Sequence, residues 1–161
     1  MNNRDVFIKM VLSTWQMQVN RLNQLLDKLP DEQLVQDTAP GRNSGLYLLG
    51  HLTAVSDNLF WQLGIGSKLY PELENVFITH PDKSGLEMPG VAEMRQYWKT
   101  VNDTLWKHFE QIPADEWFTR HSLVSEEDFA KEPHRNKLNM IINRAGHIGY
   151  HLGQMIYLQN K

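Results

Sequence analysis

Two histidines near the C-terminal end of the chain have the spacing of a metal site. His147 and His151 stand four residues apart in the glycine-rich, apolar segment 146–154. On a helix, side chains four residues apart lie on one face with their Cβ atoms about 5–6 Å apart, so two imidazoles can bind one metal ion. A third histidine, His51, follows Gly50 in another apolar segment. The hypothesis from these residues is a mononuclear metal site formed by His51, His147 and His151.

The chemistry of such a site follows from its ligands. Three neutral imidazoles and an open coordination position are typical of a catalytic zinc site rather than a closed structural one. Imidazole also suits nickel, iron, cobalt and copper, so the ligands leave the identity of the metal open. Such an ion can act as a Lewis acid, lower the pKa of bound water, or activate a thiolate. The thiolate must come from a substrate because the chain has no cysteine. The alternative is that these are hydrogen-bonded core histidines without a metal.

The other four histidines are weaker candidates. His108 lies close to the apolar seam of a predicted helix and could replace His51 as a ligand, but we predict that it does not. The remaining three stand beside proline, serine or charged residues, so solvated surface is expected for His80, His121 and His134. The chain lacks Glu-x-x-His and His-Glu-x-x-His, which excludes a ferritin-like di-iron bundle and a zincin protease. It also lacks Gly-x-Ser-x-Gly, a Walker loop and a dinucleotide-binding fingerprint.

Four predicted helices account for most of the chain. Apolar residues recur at spacings of three and four, which is the pattern of amphipathic helices. The predicted helices span about 4–29, 44–63, 90–112 and 136–159. In the absence of a strand pattern, they predict an all-α fold, a four-helix bundle with two long connections at 64–89 and 113–135.

The fourth helix carries two of the three candidate ligands. Its apolar residues cover a broad sector, so we expect it to be the most buried of the four. His147 and His151 lie beside this sector, and His51 lies at the edge of the apolar seam of the second helix. Three glycines within the fourth helix indicate close helix packing or room for a ligand: Gly146, Gly149 and Gly153.

Composition and charge exclude several classes of protein. One domain over residues 1–161 is the natural organisation for this length. The formal net charge of −3, with both signs interspersed, argues against a nucleic-acid binder. No apolar run approaches the roughly 18–20 residues that span a bilayer, and the first residues lack the apolar core of a secretory signal. We therefore expect a cytoplasmic protein without nucleic-acid or membrane partners.

The histidine-bearing segments resemble those of the DinB/YfiT-like superfamily. The resemblance rests on Gly50-His51-Leu52 in the second helix, on the two long connections, and on the segment 146–154, Gly-His-Ile-Gly-Tyr-His-Leu-Gly-Gln. Its most specific part comprises His147, His151, Gly153 and Gln154. For essentially the whole chain, it implies an up-down-down-up four-helix bundle. It also implies a divalent transition metal, zinc or nickel, bound by His51, His147 and His151.

The same resemblance implies three alternative functions. The first is a metal-dependent transferase that activates a low-molecular-weight thiol, its small-molecule substrate. The second is a metal-dependent hydrolase that uses metal-bound water. The third is a non-catalytic, metal-binding stress-response protein. A homodimer is also expected.

The surroundings of the site are expected to come from the two long connections, which would form the substrate walls. Four arginines are candidates to bind the carboxylate of a thiol: Arg42, Arg120, Arg135 and Arg144. No Asp or Glu lies within one turn of His147 or His151, which disfavours hydrolysis because a general base would assist it. A carboxylate from a connection, such as that of Glu126, could still reach the site.

Overall fold

Helices occupy most of residues 2–160, the part of the chain that the computed structural model describes. The α-helices are α1 (Asn3–Lys28), α2 (Asp31–Leu34), α3 (Gly45–Asp57), α4 (Leu59–Gln62), α5 (Val91–Phe109), α6 (Glu126–Lys131) and α7 (Lys137–Met155). A π-helical turn spans Asn75–Thr79, and two 3-10 helices span Glu116–Phe118 and Ile156–Asn160. These residues contain isolated β-bridges but no strand, which confirms the all-α prediction. Each helix among them is too short or too polar to cross a membrane.

The long helices begin and end close to their predicted positions. The second predicted helix is divided at Asn58 into α3 and α4, and the fourth ends in a 3-10 turn. Ser44 caps α3 by accepting the backbone N–H of Tyr47 at 3.2 Å, and Asn136 caps α7 by accepting that of Asn139 at 3.0 Å. Each cap satisfies a backbone donor that has no partner inside the helix, and so defines where a histidine-bearing helix begins.

The four long helices run up, down, down and up. α1 and α7 are parallel, and α3 and α5 run in the opposite direction. Between α1 and α7, Val11 lies near Ala145 and Leu25 lies near Ile156. Between α1 and α5, Trp15 pairs with Trp106 and Leu29 pairs with Arg95. Along α3 and α7, Gly45 lies near Leu158 and Gln62 pairs with Arg144. The predicted bundle order is confirmed, and it places α3 beside α7.

The most buried of the long helices is α3 and not α7. Every residue of α3 except His51 and Val55 is buried. The prediction for the fourth helix is wrong, since Ile142 is 44% exposed and Tyr150 is 65% exposed. The reason is that α7 packs against α1 and α3 and presents a third side to solvent, whereas α3 is covered by α5, α7 and the π-helical turn. His51 therefore lies at the accessible edge of an otherwise buried helix.

The glycines of α7 do not mark tight helix packing. A β-carbon at Gly146 or Gly153 would meet no atom within 4 Å, and one at Gly149 would meet only the Gln18 side chain, at 3.5 Å. The close approach is in α3, where a β-carbon at Gly50 would lie 2.5 Å from Cδ1 and Cζ of Phe77. Glycine at this position lets the π-helical turn pack directly on the backbone of α3 beside the first histidine.

Both long connections are packed against the bundle. In the first, the Asp57 carboxylate accepts the backbone N–H groups of Leu69 at 2.8 Å and Tyr70 at 2.9 Å. In the second, the Trp117 side chain is buried, and Ser125 caps α6 through the N–H of Asp128 at 3.0 Å. These contacts hold the connections in place, so they can form stable walls near the ends of the helices.

Candidate metal centre

Three histidine side chains meet between α3 and α7. Nε2 of His147 lies 3.2 Å from Nε2 of His51 and 2.9 Å from Nε2 of His151. His147 and His151 are one turn apart on α7, and His51 reaches them from α3, 96 positions before His147. Within residues 2–160, no Asp or Glu belongs to this cluster. The structure thus brings together the three histidines that the sequence singled out.

Hydrogen bonds at Nδ1 hold two of the three histidine rings in place. Nδ1 of His51 donates to the carbonyl oxygen of Phe77 at 2.8 Å, and Nδ1 of His151 donates to Oε1 of Gln154 at 2.7 Å. A neutral imidazole carries one proton, so both of these rings present the lone pair of Nε2 to the centre of the cluster. Nδ1 of His147 is buried without a hydrogen-bond partner in the described part of the chain.

Burial and mutual repulsion disfavour protonation of the cluster. Burial first, and then the charges of His151, His51 and Arg144, lower the pKa of His147 to about 4. Burial also lowers the pKa of His151, although its hydrogen bond to Gln154 opposes this shift. Nε2 of His51 and Nε2 of His151, both without a proton, therefore point toward Nε2 of His147 at 3.2 and 2.9 Å. A shared cation stabilises this arrangement better than hydrogen bonds can, because two of the three nitrogens have no proton to donate.

The separations of His147 Nε2 from the other two nitrogens fit one metal ion. Two nitrogen ligands that each lie about 2.0–2.1 Å from a zinc ion stand about 2.9–3.4 Å apart when the angle between them is between about 90° and 110°. The observed separations of 3.2 and 2.9 Å fall in this range. All three histidines are partly exposed, so solvent can approach the point on which they converge. The donor set and its orientation therefore suit an ion with an open coordination position.

A family model of the DinB superfamily matches residues 14–155. The chain belongs to the DinB superfamily. The matched range includes all three histidines and confirms the resemblance inferred from the sequence. A search of curated proteins found no match. In this DinB-superfamily protein, the histidine cluster can hold a metal ion, and nothing in the donor set selects zinc over nickel.

The first histidine of the cluster, His51, is held by the π-helical turn. Phe77 packs on Gly50 and supplies the carbonyl that accepts the Nδ1 proton of His51. Tyr47, one turn before His51, stacks parallel to the imidazole with the ring centroids 6.5 Å apart. Its hydroxyl donates to the carbonyl of His80 at 2.7 Å, at the end of the same turn. The turn therefore fixes both the tautomer and the orientation of the His51 ring, as outer hydrogen bonds do in metal sites.

All four remaining histidines lie outside the cluster. His108 packs edge-on against the ring of Phe60, with the centroids 5.7 Å apart, and not against the other histidines. His134 is exposed, as predicted, and His80 is partly buried. The placement of His108 agrees with the prediction that His51 and not His108 completes the cluster, since the bundle order puts α3 beside α7.

His121 was expected on the solvated surface, and this prediction is wrong. Its side chain is only 8% exposed. The connection returns over the end of α4, where the backbone N–H of Ser122 donates to the carbonyl of Gln62 at 3.0 Å. The neighbouring residues, Arg120 and Ser122, indicated that the segment is polar but not that it contacts the bundle. Burial, followed by the charges of Arg135, Arg144 and Arg120, lowers the pKa of His121.

The four candidate arginines differ in their surroundings. Arg144 lies one turn before His147, and its charge contributes to the low pKa of that histidine. Arg120 and Arg135 are ion-paired, with Glu126 at 3.9 Å and Glu132 at 3.1 Å, and Arg42 is exposed. The Glu126 side chain is 92% exposed and faces Arg120, so it does not supply the cluster with a carboxylate.

Sequence reasoning missed two groups at this site. The carbonyl of Phe77 carries no side-chain signal and becomes available only because the π-helical turn lies on α3. Gln62 accepts a hydrogen bond from Nη2 of Arg144 at 3.3 Å, and no motif marks it. The position of Gln154, three residues after His151 on the same helix, was a usable signal, because such residues are neighbours on a helix surface.

Proposed function

We propose that this protein is a metal-dependent enzyme that transfers a low-molecular-weight thiol to an electrophilic substrate. The observation that supports it most directly is the convergence of three Nε2 atoms, from partly exposed histidines, without a carboxylate ligand among residues 2–160. His51, His147 and His151 would hold the ion. A divalent ion in this position supplies Lewis acidity and lowers the pKa of a thiol or water that enters the open position.

The chain's own groups prepare the site for an anionic sulfur. Phe77 and Gln154 keep the outer imidazoles in the tautomer that leaves Nε2 free. The positive charge of Arg144, beside His147, stabilises negative charge that develops nearby. In the transfer, the thiol loses its proton to solvent, the sulfur forms a new bond to the electrophilic carbon, and the leaving group departs with the electron pair of the broken bond.

Thiol transfer is favoured over hydrolysis by the absence of a general base. No carboxylate joins the histidine cluster in residues 2–160, and no carboxylate contributes to the pKa shifts of His147 and His151. Hydrolysis by water is accelerated by a general base positioned to accept its proton. A thiol has a far lower pKa than water, near 8.5 for a cysteine-like group, so it needs less assistance. The chain has no cysteine of its own, so the thiol would come from the substrate.

The test is a thiol-conjugation assay on protein of known metal content. Purified protein is analysed for zinc, nickel and other transition metals, and then incubated with several low-molecular-weight thiols and a chromogenic haloarene electrophile. We expect thiol consumption above the uncatalysed rate that disappears on chelation and in the His151→Ala variant but persists in His108→Gln. Metal-dependent cleavage of ester or amide substrates without thiol consumption would favour the hydrolase. Metal binding with neither activity would favour a non-catalytic role.

A further inference from the structure

Arg144 is a partly buried cation that has no counter-ion among residues 2–160. Burial lowers the pKa of its guanidinium. Nη2 donates to Oε1 of Gln62 at 3.3 Å, while Nε is buried and has no partner among the described residues. The guanidinium forms no ion pair with a carboxylate in this part of the chain, in contrast to Arg95, which pairs with Asp31 at 3.1 Å. Burying a charge without a partner is costly, so such groups are concentrated at functional sites.

His121 adds a second donor to the same place. Its Nδ1 accepts the backbone N–H of Leu123 at 3.3 Å, so the proton of the neutral ring is on Nε2. That N–H has no hydrogen-bond acceptor among residues 2–160. The charges of Arg135, Arg144 and Arg120 all act on this ring, and no carboxylate is among the groups that shift its pKa. The neighbourhood of His121 and Arg144 therefore presents N–H donors without partners among residues 2–160, and its side-chain acceptor, Oε1 of Gln62, takes only one N–H of the guanidinium.

The geometry of the helices connects this place to the histidine cluster. Arg144 precedes His147 by three residues on α7, a rise of about 4.5 Å. Its hydrogen-bond partner Gln62 follows His51 by eleven residues along α3 and α4, a rise of about 16 Å. The Arg144 side chain thus extends away from the cluster toward the end of α4. Its charge still lowers the pKa of His147, so the guanidinium and the histidines are near enough for one small substrate to contact both.

We propose that Arg144 and His121 form a subsite for an oxyanionic group of the substrate, within the same α3–α7 interface as the metal centre. This proposal rests on the proposed function, because it assumes that the other end of the substrate reacts at the histidine cluster. The guanidinium supplies charge-assisted hydrogen bonds through Nε and its remaining N–H groups, and Nε2 of His121 donates a further one. Gln62 holds the guanidinium in position, and the charges of Arg120 and Arg135, each paired with a glutamate, also act on His121. The substrate class is therefore a small thiol that carries a carboxylate or a phosphate.

The test measures anion binding to metal-free protein, so that it does not depend on activity. Sodium succinate and sodium phosphate are titrated against sodium chloride at equal ionic strength, with calorimetry and melting temperature as readouts. We expect saturable binding of at least one of the two anions, and the stronger one identifies the oxyanion. Arg144→Met should weaken this binding at least about tenfold, because it removes the charge-assisted hydrogen bonds. His121→Phe should weaken it less, since one neutral donor is lost. The control Arg21→Met, at an exposed arginine of α1, should leave it unchanged.

Two outcomes would overturn the subsite. One is the absence of binding beyond that of chloride, and the other is equal affinity in Arg144→Met and the unmodified protein. Arg144→Lys keeps the charge, so it tests the subsite even if the methionine variant misfolds. It should retain part of the affinity, and full affinity in the lysine variant would contradict a role for the guanidinium fork. Failure of the subsite is separable from failure of the thiol chemistry, because one is measured without metal or thiol and the other by metal-dependent thiol consumption.

Discussion

Removing the metal should lower the melting temperature of this protein by about 5–10 °C. Only folding brings Nε2 of His51 to within 3.2 Å of Nε2 of His147, 96 positions away, so the ion binds the native state far better than the unfolded chain. At a free metal concentration of about 100 times Kd, this preference stabilises the fold by about 2.7 kcal/mol. For a chain of this length, each kcal/mol moves Tm by about 2–4 °C, which gives the expected change.

The His147→Ala variant should lose most of this stabilisation. Nε2 of His147 is in contact with both other Nε2 atoms, at 3.2 and 2.9 Å, so its removal leaves two ligands from different helices. Loss of a group that merely orients a ligand weakens metal binding by about 10–100-fold, and loss of a ligand should weaken it at least about 100-fold. The same free metal concentration would then be close to the Kd of the variant. The stabilisation by metal would fall to about 0.4 kcal/mol, or about 1 °C in Tm.

The assay compares melting of metal-loaded and chelator-treated protein at pH 7.5, with metal content measured by elemental analysis. His108→Gln is the matched control because His108 is also helical and partly buried but packs against Phe60, and it should keep the full shift. Full metal occupancy in His51→Ala, His147→Ala or His151→Ala would remove that residue from the ligands. Protein that carries metal and melts at the same temperature after chelation would refute the reasoning, because its metal would not be held by a site that folding assembles.

Three further predictions concern the groups around the cluster. Gln154→Met should weaken metal binding by about 10–100-fold, because it removes the acceptor that orients His151; competition with a chromophoric chelator measures this, and unchanged affinity would show that the hydrogen bond is dispensable. Gly50→Ala should destabilise the fold by about 1–3 kcal/mol in urea unfolding, because its β-carbon would overlap the Phe77 ring, and an undiminished free energy of unfolding would contradict the close packing. In metal-free protein, the free energy of unfolding should fall by about 1–2 kcal/mol, after allowance for solvent screening, as pH falls from about 6.5 to 4. The sign follows because the unfolded chain binds a proton at His147 in this window while the folded chain, with a pKa of about 4, does not; a His147→Gln variant with the same pH dependence would rule this out.

Much of the fold could be predicted because it depends on local patterns. Apolar residues at spacings of three and four located the long helices, and Ser44 and Asn136 cap two of them close to the predicted first residues. The prediction that the fourth helix is the most buried was wrong because the burial of a helix depends on how many other elements surround it. α7 has a broad apolar sector, yet Ile142 on that sector is 44% exposed, while α3 is enclosed by three elements.

The sequence by itself determined that His147 and His151 share a helix face, since four-residue spacing alone requires it. Their pairing with His51 was suggested by the sequence, but the order of the bundle decided it, because that order places α3 rather than α5 beside α7. Only the tertiary structure decided which nitrogens are free, since the carbonyl that fixes the His51 tautomer belongs to Phe77, 26 positions away. The same holds for Arg144, whose lack of a counter-ion within residues 2–160 depends on the packing of α4 and the second long connection around it. The spacing of residues along the sequence predicts which side chains are neighbours on one helix. Burial and charge balance depend instead on groups that are distant in the chain.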